Sequence, residues 1–365
     1  MRKTQIRFPD PYVPTAILVV QTAFLGDVIL TLPLIKAIRE RFPHARLDFL
    51  TIPASKNIAE TLPYIQQLWL YDKHGKEKGI VPLIRLIRRL RHGKYDLAFV
   101  PHRSLRSALL VTAAGIRIRI GFHNSAGKYL FSHLVPYHKG MHEVERNLQL
   151  LNPLGGAPEG KPYPELFFTP QDHATVSDWL RRQGIGGEQP FVTLAPGSVW
   201  ATKRWPAAYY SALAQRLYAH GIVSILVGGP LDQDLADRIQ HRAGPAVRNA
   251  VGQMSLRQSA LLIQQSKMLV TNDSAPLHLG VAVRIPVVAI FGPTVPAFGF
   301  YPWGPHDQVI ERKELDCRPC GIHGGHRCPV GTHECMLELK PERVFMSVLT
   351  KLKELGVIPS HREQP

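Results

Sequence analysis

At 365 residues, 45% of them hydrophobic and 20% charged, the chain is long enough for two domains with sizeable cores. Its apolar runs are strand-length and broken by charge, which excludes a membrane-spanning helix; the basic start MRKTQIRFPDPYVP lacks the apolar core and cleavage site of a secretory signal, so none is expected. The formal charge of +16 is uneven, with 26 Lys and Arg against 14 Asp and Glu in residues 1–185 and 18 against 14 in residues 186–365. A basic first half points to an anionic partner: nucleic acid, a membrane surface or an acidic substrate. No zinc-finger spacing or aromatic RNA-binding motif is present, which argues against nucleic acid.

In chain order, AILVV at 16–20 reads as a buried strand. The turn from Gln21 to Asp27 follows, then a helix from about Val28 to Arg41 with apolar residues at helical spacing. The turn lacks GxGxxG, and so does the rest of the chain, which disfavours a nicotinamide or flavin enzyme. Alternation continues with strand Leu47–Ile52, a helix near Asn57–Leu62, strand Leu68–Tyr71 and a helix over Ile80–Arg91. That helix contains IRLIRRLR, a basic amphipathic face suited either to solvent or to anionic lipid headgroups. Strand Asp96–Val100, helix Leu105–Ala114, a short strand Ile118–Phe122 and helix His142–Leu151 complete a parallel α/β domain.

Residues 152–190 are rich in Gly and Pro around a polar helix, Gln171–Gln183, and read as a linker region. The expected domains are therefore 1–185 and 186–365. The second alternation runs through strand Phe191–Ala195, the loop PGSVWATKRWP, helix Ala207–His220, strand Val223–Val227, helix Leu231–Arg242 and helix Leu256–Lys267. Strand Met268–Val270, the turn Thr271–Ser274, helix Pro276–Val283 and strand Pro286–Phe291 follow, with a last helix over Pro341–Leu355. The fold class is α/β, two Rossmann-like domains with a ligand cleft expected at the carboxyl ends of the strands.

Several residues at those ends could carry chemistry. Asp27 can accept a proton from a hydroxyl, or simply cap the helix behind it. Ser274 is a good helix cap and Pro276 suits a first turn, where free amides and the helix dipole favour a phosphate. Lys203 lies at what reads as a helix start, where a cation is electrostatically misplaced unless an anion neutralises it. With Ser198 and Gly197 it makes a second anion-favouring strand end, and two such ends suit a diphosphate. Asp232-Gln233-Asp234 matches the DxD metal signature formally, but after a GGP turn these acids read as a helix's first turn, with Asp232 free to reach a ribose hydroxyl. Cys317, Cys320, Cys328 and Cys335 share one segment with His323, His326 and His333. It is similar to a structural zinc loop, yet the wide second pair favours a reduced, compact loop without metal.

Together LGDVILTLPLIKAIRERFP, APGSVWATKRWP, QMSL, TNDSAPLHLG, VVAIFGPT and CRPC…CPVG…CM resemble the ADP-heptose:lipopolysaccharide heptosyltransferases of glycosyltransferase family 9, of the heptosyltransferase II type. The resemblance covers nearly the whole chain. It implies a GT-B fold, with acceptor bound by the first domain and nucleotide sugar by the second, and an inverting transfer without metal or other cofactor. On this basis Asp27, next to Gly26, is the base, and Lys203 and Ser198 contact phosphate. Asp232 stands near a ribose-binding acid that is Glu in relatives, and Met254 marks the backbone site for adenine. Asp273, Ser274, Ala275, Leu277 and His278 form the diphosphate loop, in which Pro276 departs from the pattern by lacking an N–H. The implied partners are ADP-heptose (ADP-L-glycero-D-manno-heptose), a phosphorylated lipopolysaccharide inner-core acceptor and the anionic inner-membrane surface. The implied location is cytoplasmic and peripheral at that membrane. His102, Arg103 and Arg106 are candidate acceptor contacts, or part of a solvated loop. A sugar-nucleotide epimerase and a non-catalytic glycan or lipid binder are the competing readings.

Overall fold

The run AILVV forms β1 (Ala16–Val20), with every residue buried, because a strand in the middle of a parallel sheet is covered on both faces. The computed structural model describes residues 12–359 except 74, 76 and 188, so the N-terminal stretch 1–11 lies outside the described residues. The chain divides into two units, Met1–Glu165 and Leu166–Pro365.

In the first unit β1 leads to α1 (Leu25–Ile29), α2 (Leu32–Arg41), β2 (Arg46–Thr51), α3 (Lys56–Ala59) and β3 (Gln67–Leu70). The chain then crosses back through α4 (Ile80–His92) to β4 (Leu97–Val100), α5 (Leu105–Ala113), β5 (Ile118–Phe122), β6 (His133–Val135) and α6 (Glu143–Leu148). All pairs are parallel, in the order β3-β2-β1-β4-β5-β6. Successive strands are added on one side of β1 and then on the other, which opens a crevice between the carboxyl ends of β1 and β4. Leu86 and Leu90 of α4 and Val111 of α5 pack with Leu18, Val20, Ala98 and Val100 to fill one face of this sheet.

The second unit begins with α7 (Pro170–Arg182), capped by Thr169 and Asp172, with Pro170 in its first turn. Next come β7 (Phe191–Ala195), α8 (Ala207–Tyr218), β8 (Val223–Leu226), α9 (Gln233–Ala243), β9 (Val247–Asn249) and α10 (Leu256–Gln265). The unit ends with β10 (Leu269–Asn272), α11 (Ala275–Ala282), β11 (Val287–Phe291), β12 (Gln308–Glu311), α12 (Glu334–Leu337) and α13 (Pro341–Glu354). Its parallel order, β12-β11-β10-β7-β8-β9, repeats that of the first unit, with the crevice between β7 and β10. Trp205 is wholly buried and donates from Nε1 to the Leu339 carbonyl at 2.7 Å. Truncation of so large a core side chain costs about 3–5 kcal/mol.

The division at 165/166 corrects the expected 185/186. Helix α7 packs on α10, where Trp179 Nε1 donates to Gln253 Oε1 at 2.9 Å and Arg257 pairs with Asp172 at 2.5 Å. The linker is therefore the Gly/Pro-rich stretch before Glu165, and GIGG at 184–187 is only a helix-to-strand loop. The charge asymmetry survives the move: 24 Lys and Arg against 12 Asp and Glu up to Glu165, and 20 against 16 after it. Strands β6, β9 and β12 were not expected. They are three or four residues long and lie at sheet edges, so one-sided pairing leaves them no long apolar run.

Candidate active site

At the β1/β4 crevice, helix α1 begins at Leu25, so Asp27 with Gly26 occupies its first turn rather than the turn before it. The two readings of Asp27 coexist. Oδ2 accepts the Phe24 amide at 3.1 Å, a capping contact. Asp27 is part-buried, and the desolvation of its carboxyl, followed by the charge of Glu143, raises its pKa to about 7 against the opposing pull of the Phe24 amide and Arg103.

The β4 loop supplies the surroundings. His102 Nδ1 lies 3.0 Å from both Thr22 Oγ1 and Ser107 Oγ, joining the loop to the β1 turn. Burial, with Lys73 and Arg103 nearby, lowers its pKa to about 4, so the imidazole is neutral at neutral pH. Lys73 donates to the Thr22 carbonyl at 2.7 Å and feels both Arg106 and Asp27. The guanidinium of Arg103 stands 4.2 Å over the Tyr137 ring, and Arg146 stands 4.7 Å from it. Buried Glu143 pairs with Arg146 at 2.8 Å and accepts from the Tyr137 hydroxyl at 3.1 Å. The candidate acceptor residues His102, Arg103 and Arg106 thus belong to one constellation with Asp27. Sequence reasoning missed Lys73, Tyr137, Glu143 and Arg146. Glu143 and Arg146 had only a helix-spaced pattern to mark them, and Lys73 and Tyr137 lie in loops.

In the second unit the carboxyl ends of β10, β7, β8 and β9 lie side by side. Lys203 does not open a helix. It closes the 3-10 turn Ala201–Lys203, and α8 starts only at Ala207. Its neutralising anion is internal: Nζ donates to Asp273 Oδ2 at 2.6 Å, and Thr294 Oγ1 donates to the same oxygen at 2.6 Å. The pair is nearly buried, which strengthens it and makes breaking one half costly. Trp205 anchors the loop from below, its amide donating to Asn272 Oδ1 at 3.1 Å; Asn272 Nδ2 in turn donates to the Pro196 carbonyl at 2.8 Å. From the cysteine segment, Gly325 exchanges hydrogen bonds with Thr202, and His333 Nε2 meets the Thr202 carbonyl at 2.8 Å. The cysteine segment therefore braces the loop that carries Lys203.

Gly197 serves close approach. A Cβ there would stand 2.3 Å from Asp232 Oδ1, so only glycine admits the carboxylate beside the β7 loop. Burial raises the Asp232 carboxyl, opposed by the Gly229 amide and Arg204. Asp232 closes the turn Pro230–Asp232, while Asp234 is exposed in the first turn of α9, so the DxD acids face different surroundings. Buried Ser198 accepts the Trp200 amide at 3.3 Å. Half-buried Met254 lies in the turn after β9.

Two expectations for the helix N-terminus change. Ser274 occupies the N-cap position of α11 but its hydroxyl does not cap; it donates to the Gly197 carbonyl at 3.3 Å. The Leu277 amide is engaged by the Ser274 carbonyl at 3.0 Å, so with Pro276 lacking an N–H the forward-facing amides reduce to Ser274 and Ala275. Buried His278 has an unpartnered Nδ1, and burial lowers its pKa to about 4. The four cysteines are free thiols, and among the described residues no three His, Cys, Asp or Glu gather to hold a metal ion.

Two Rossmann-type sheets, one with an acid and the other with a held lysine at the crevice, are the parts of a GT-B-type glycosyltransferase. The family model for glycosyltransferase family 9 (heptosyltransferase) matches residues 83–324, and the chain belongs to that family. It is 30% identical to lipopolysaccharide heptosyltransferase 3 of Escherichia coli over 77% of this chain and 84% of that one. It is 27% identical to lipopolysaccharide heptosyltransferase 2 of Salmonella typhimurium over 93% and 99%. Among solved structures, a family 9 glycosyl transferase from Veillonella parvula superposes with a TM-score of 0.84 at 22% identity, covering 93% of this chain and 98% of that one. The E. coli ADP-heptose heptosyltransferase II superposes at 0.76 with 24% identity, covering 93% and 99%.

Proposed function

We propose that this glycosyltransferase moves heptose from ADP-heptose to a sugar hydroxyl of the phosphorylated inner core of lipopolysaccharide, by one inverting displacement that uses no metal. The observation that carries the reading is the Asp27 carboxyl, raised to about 7 at the crevice of a basic unit. A base with that pKa is half ionised near neutrality and strong enough to take a hydroxyl proton as the oxygen attacks. The acceptor oxygen bonds to the anomeric carbon, its proton passes to Asp27, and the bond from that carbon to the diphosphate oxygen breaks. ADP departs with the electron pair. Lys203 and the Ser274 and Ala275 amides stabilise the charge on the leaving diphosphate, the task that a divalent cation performs in other transferases. Asp232 takes the ribose hydroxyls, and the turn at Met254 takes adenine. Arg103, Arg106 and neutral His102 meet the anionic acceptor, and the enzyme works at the cytoplasmic face of the inner membrane.

The test is ADP release from ADP-heptose, with and without a heptose-bearing core acceptor and EDTA. Release that requires acceptor and survives EDTA is expected. Release without acceptor would mean an epimerase or hydrolase, and acceptor binding with no release would mean a binding protein.

A further inference from the structure

Helix α4 stands apart in charge among the described helices: its thirteen residues, IVPLIRLIRRLRH, hold four arginines and no acid. Leu86 and Leu90 face the core, with Leu83 and Ile87 packed beside them. The opposite side is divided along its length. Ile80 (74% exposed), Val81 (60%) and Ile84 form an apolar tip, and exposed Arg85 and Arg88 follow one turn behind. The arginines and histidine of the last turn suit the helix dipole. Arg85 and Arg88 do not have that excuse, and neither makes an ion pair among the described residues.

The tip is not alone. Because α4 and α5 each follow a strand of one parallel sheet, their first turns lie at its carboxyl edge, and the two helices pack together. There α5 exposes Leu105 and Leu109, one turn apart. A Cβ on Gly127 would meet Leu105 and Ala108, so the turn bearing Tyr129 (73% exposed) is pressed onto the same helix. Single exposed apolar residues are ordinary, but six from three elements along one edge, with bases behind them, are not.

We propose that this edge is a docking surface for an anionic lipid bilayer. The apolar tip of α4 and the exposed leucines of α5 enter the boundary between headgroups and acyl chains, and Arg85 and Arg88 lie at the level of the lipid phosphates. Asp27, Arg103 and Arg106 share the edge, so docking brings the acceptor side of the unit to the layer that holds a lipid-borne acceptor. In that purpose the inference rests on the heptose-transfer reading; the docking itself needs no substrate.

The test is co-sedimentation of the full chain with phosphatidylethanolamine vesicles, alone or enriched in phosphatidylglycerol. Binding should require phosphatidylglycerol and fade with salt. Since each base near an anionic surface adds roughly fivefold to binding, R85E/R88E should lower partition by at least about tenfold. I80E/V81E should do the same, and both variants should melt as the parent does and turn over a deacylated, soluble acceptor at the parental rate. Unchanged partition of both variants, or binding indifferent to phosphatidylglycerol, would overturn the proposal. So would equilibrium sedimentation showing that I80E/V81E breaks a dimer of this chain while vesicle binding persists. Loss of transfer on every acceptor with vesicle binding intact would remove the catalytic reading and leave docking standing.

Discussion

Between β1 and β4 the first unit holds Asp27, which has no ion pair among the described residues and whose proton affinity is pushed to about 7. Between β7 and β10 the second holds Lys203, fixed to Asp273 at 2.6 Å and braced by the cysteine segment. The strand order is the same in both units. An acid without a cation in contact stays able to exchange its proton near neutrality, whereas a lysine in a preformed pair keeps a charge in place. The shared topology therefore decides where a residue can act, and its neighbours decide what it does there.

Four measurements bear on that contrast. The largest effect is expected from Asp27→Asn, which should lower kcat by about 10²–10⁴, the usual worth of a general base, with ADP affinity by calorimetry unchanged. A parallel loss of ADP affinity would end the division of labour between the units. Next, Lys203→Ala should weaken ADP binding and lower turnover by about 10²–10³, as loss of a charge-stabilising donor does. It should also destabilise the fold by about 3–5 kcal/mol, because it strands the buried Asp273 carboxylate. Adding Asp273→Asn should restore the melting temperature but not ADP affinity; recovery of both would make Lys203 purely structural.

The third effect is on pH. The kcat/KM profile should fall below about pH 7 as Asp27 gains its proton. Glu143→Gln should move that limb to lower pH by removing a like charge, and Arg103→Gln should move it higher by removing an opposite one. A limb that neither variant moves would belong to another group. The smallest effect is on stability. The folded carboxyl holds its proton more tightly than an unfolded one, so ionised Asp27 costs stability from about pH 4 upward, fully so above about pH 7. Asp27→Asn should therefore melt higher than the parent at pH 8, with the gain shrinking to nothing near pH 4.

Much of this was readable from the sequence because long apolar runs and turn residues mark the central strands. AILVV, FVTLA and VVAIF are buried throughout and carry the crevices. What escaped depends on contacts distant in sequence. The pairing of Lys203 with Asp273 joins residues 70 positions apart, and a helix-start reading of Lys203 supplied an external anion where the protein has its own. Glu143, buried in a cluster with Arg146 and Tyr137, acts on Asp27 through space, which no local pattern reports. The edge strands β6, β9 and β12 are too short to show a period.

The pairing of Lys203 with Asp273 also bears on product release. A diphosphate entering this loop meets a lysine that already has a counter-ion, so it gains the difference between two partners rather than the full attraction of a bare cation. If Lys203 meets the diphosphate as proposed, that difference would limit how tightly spent ADP is held. On the proposed reading, the carboxylate would keep the ammonium paired as ADP leaves, so that no naked buried charge would oppose the exit. In these terms Asp273 would be a built-in competitor of the product, and an Asp273→Asn enzyme would be the more readily poisoned by ADP.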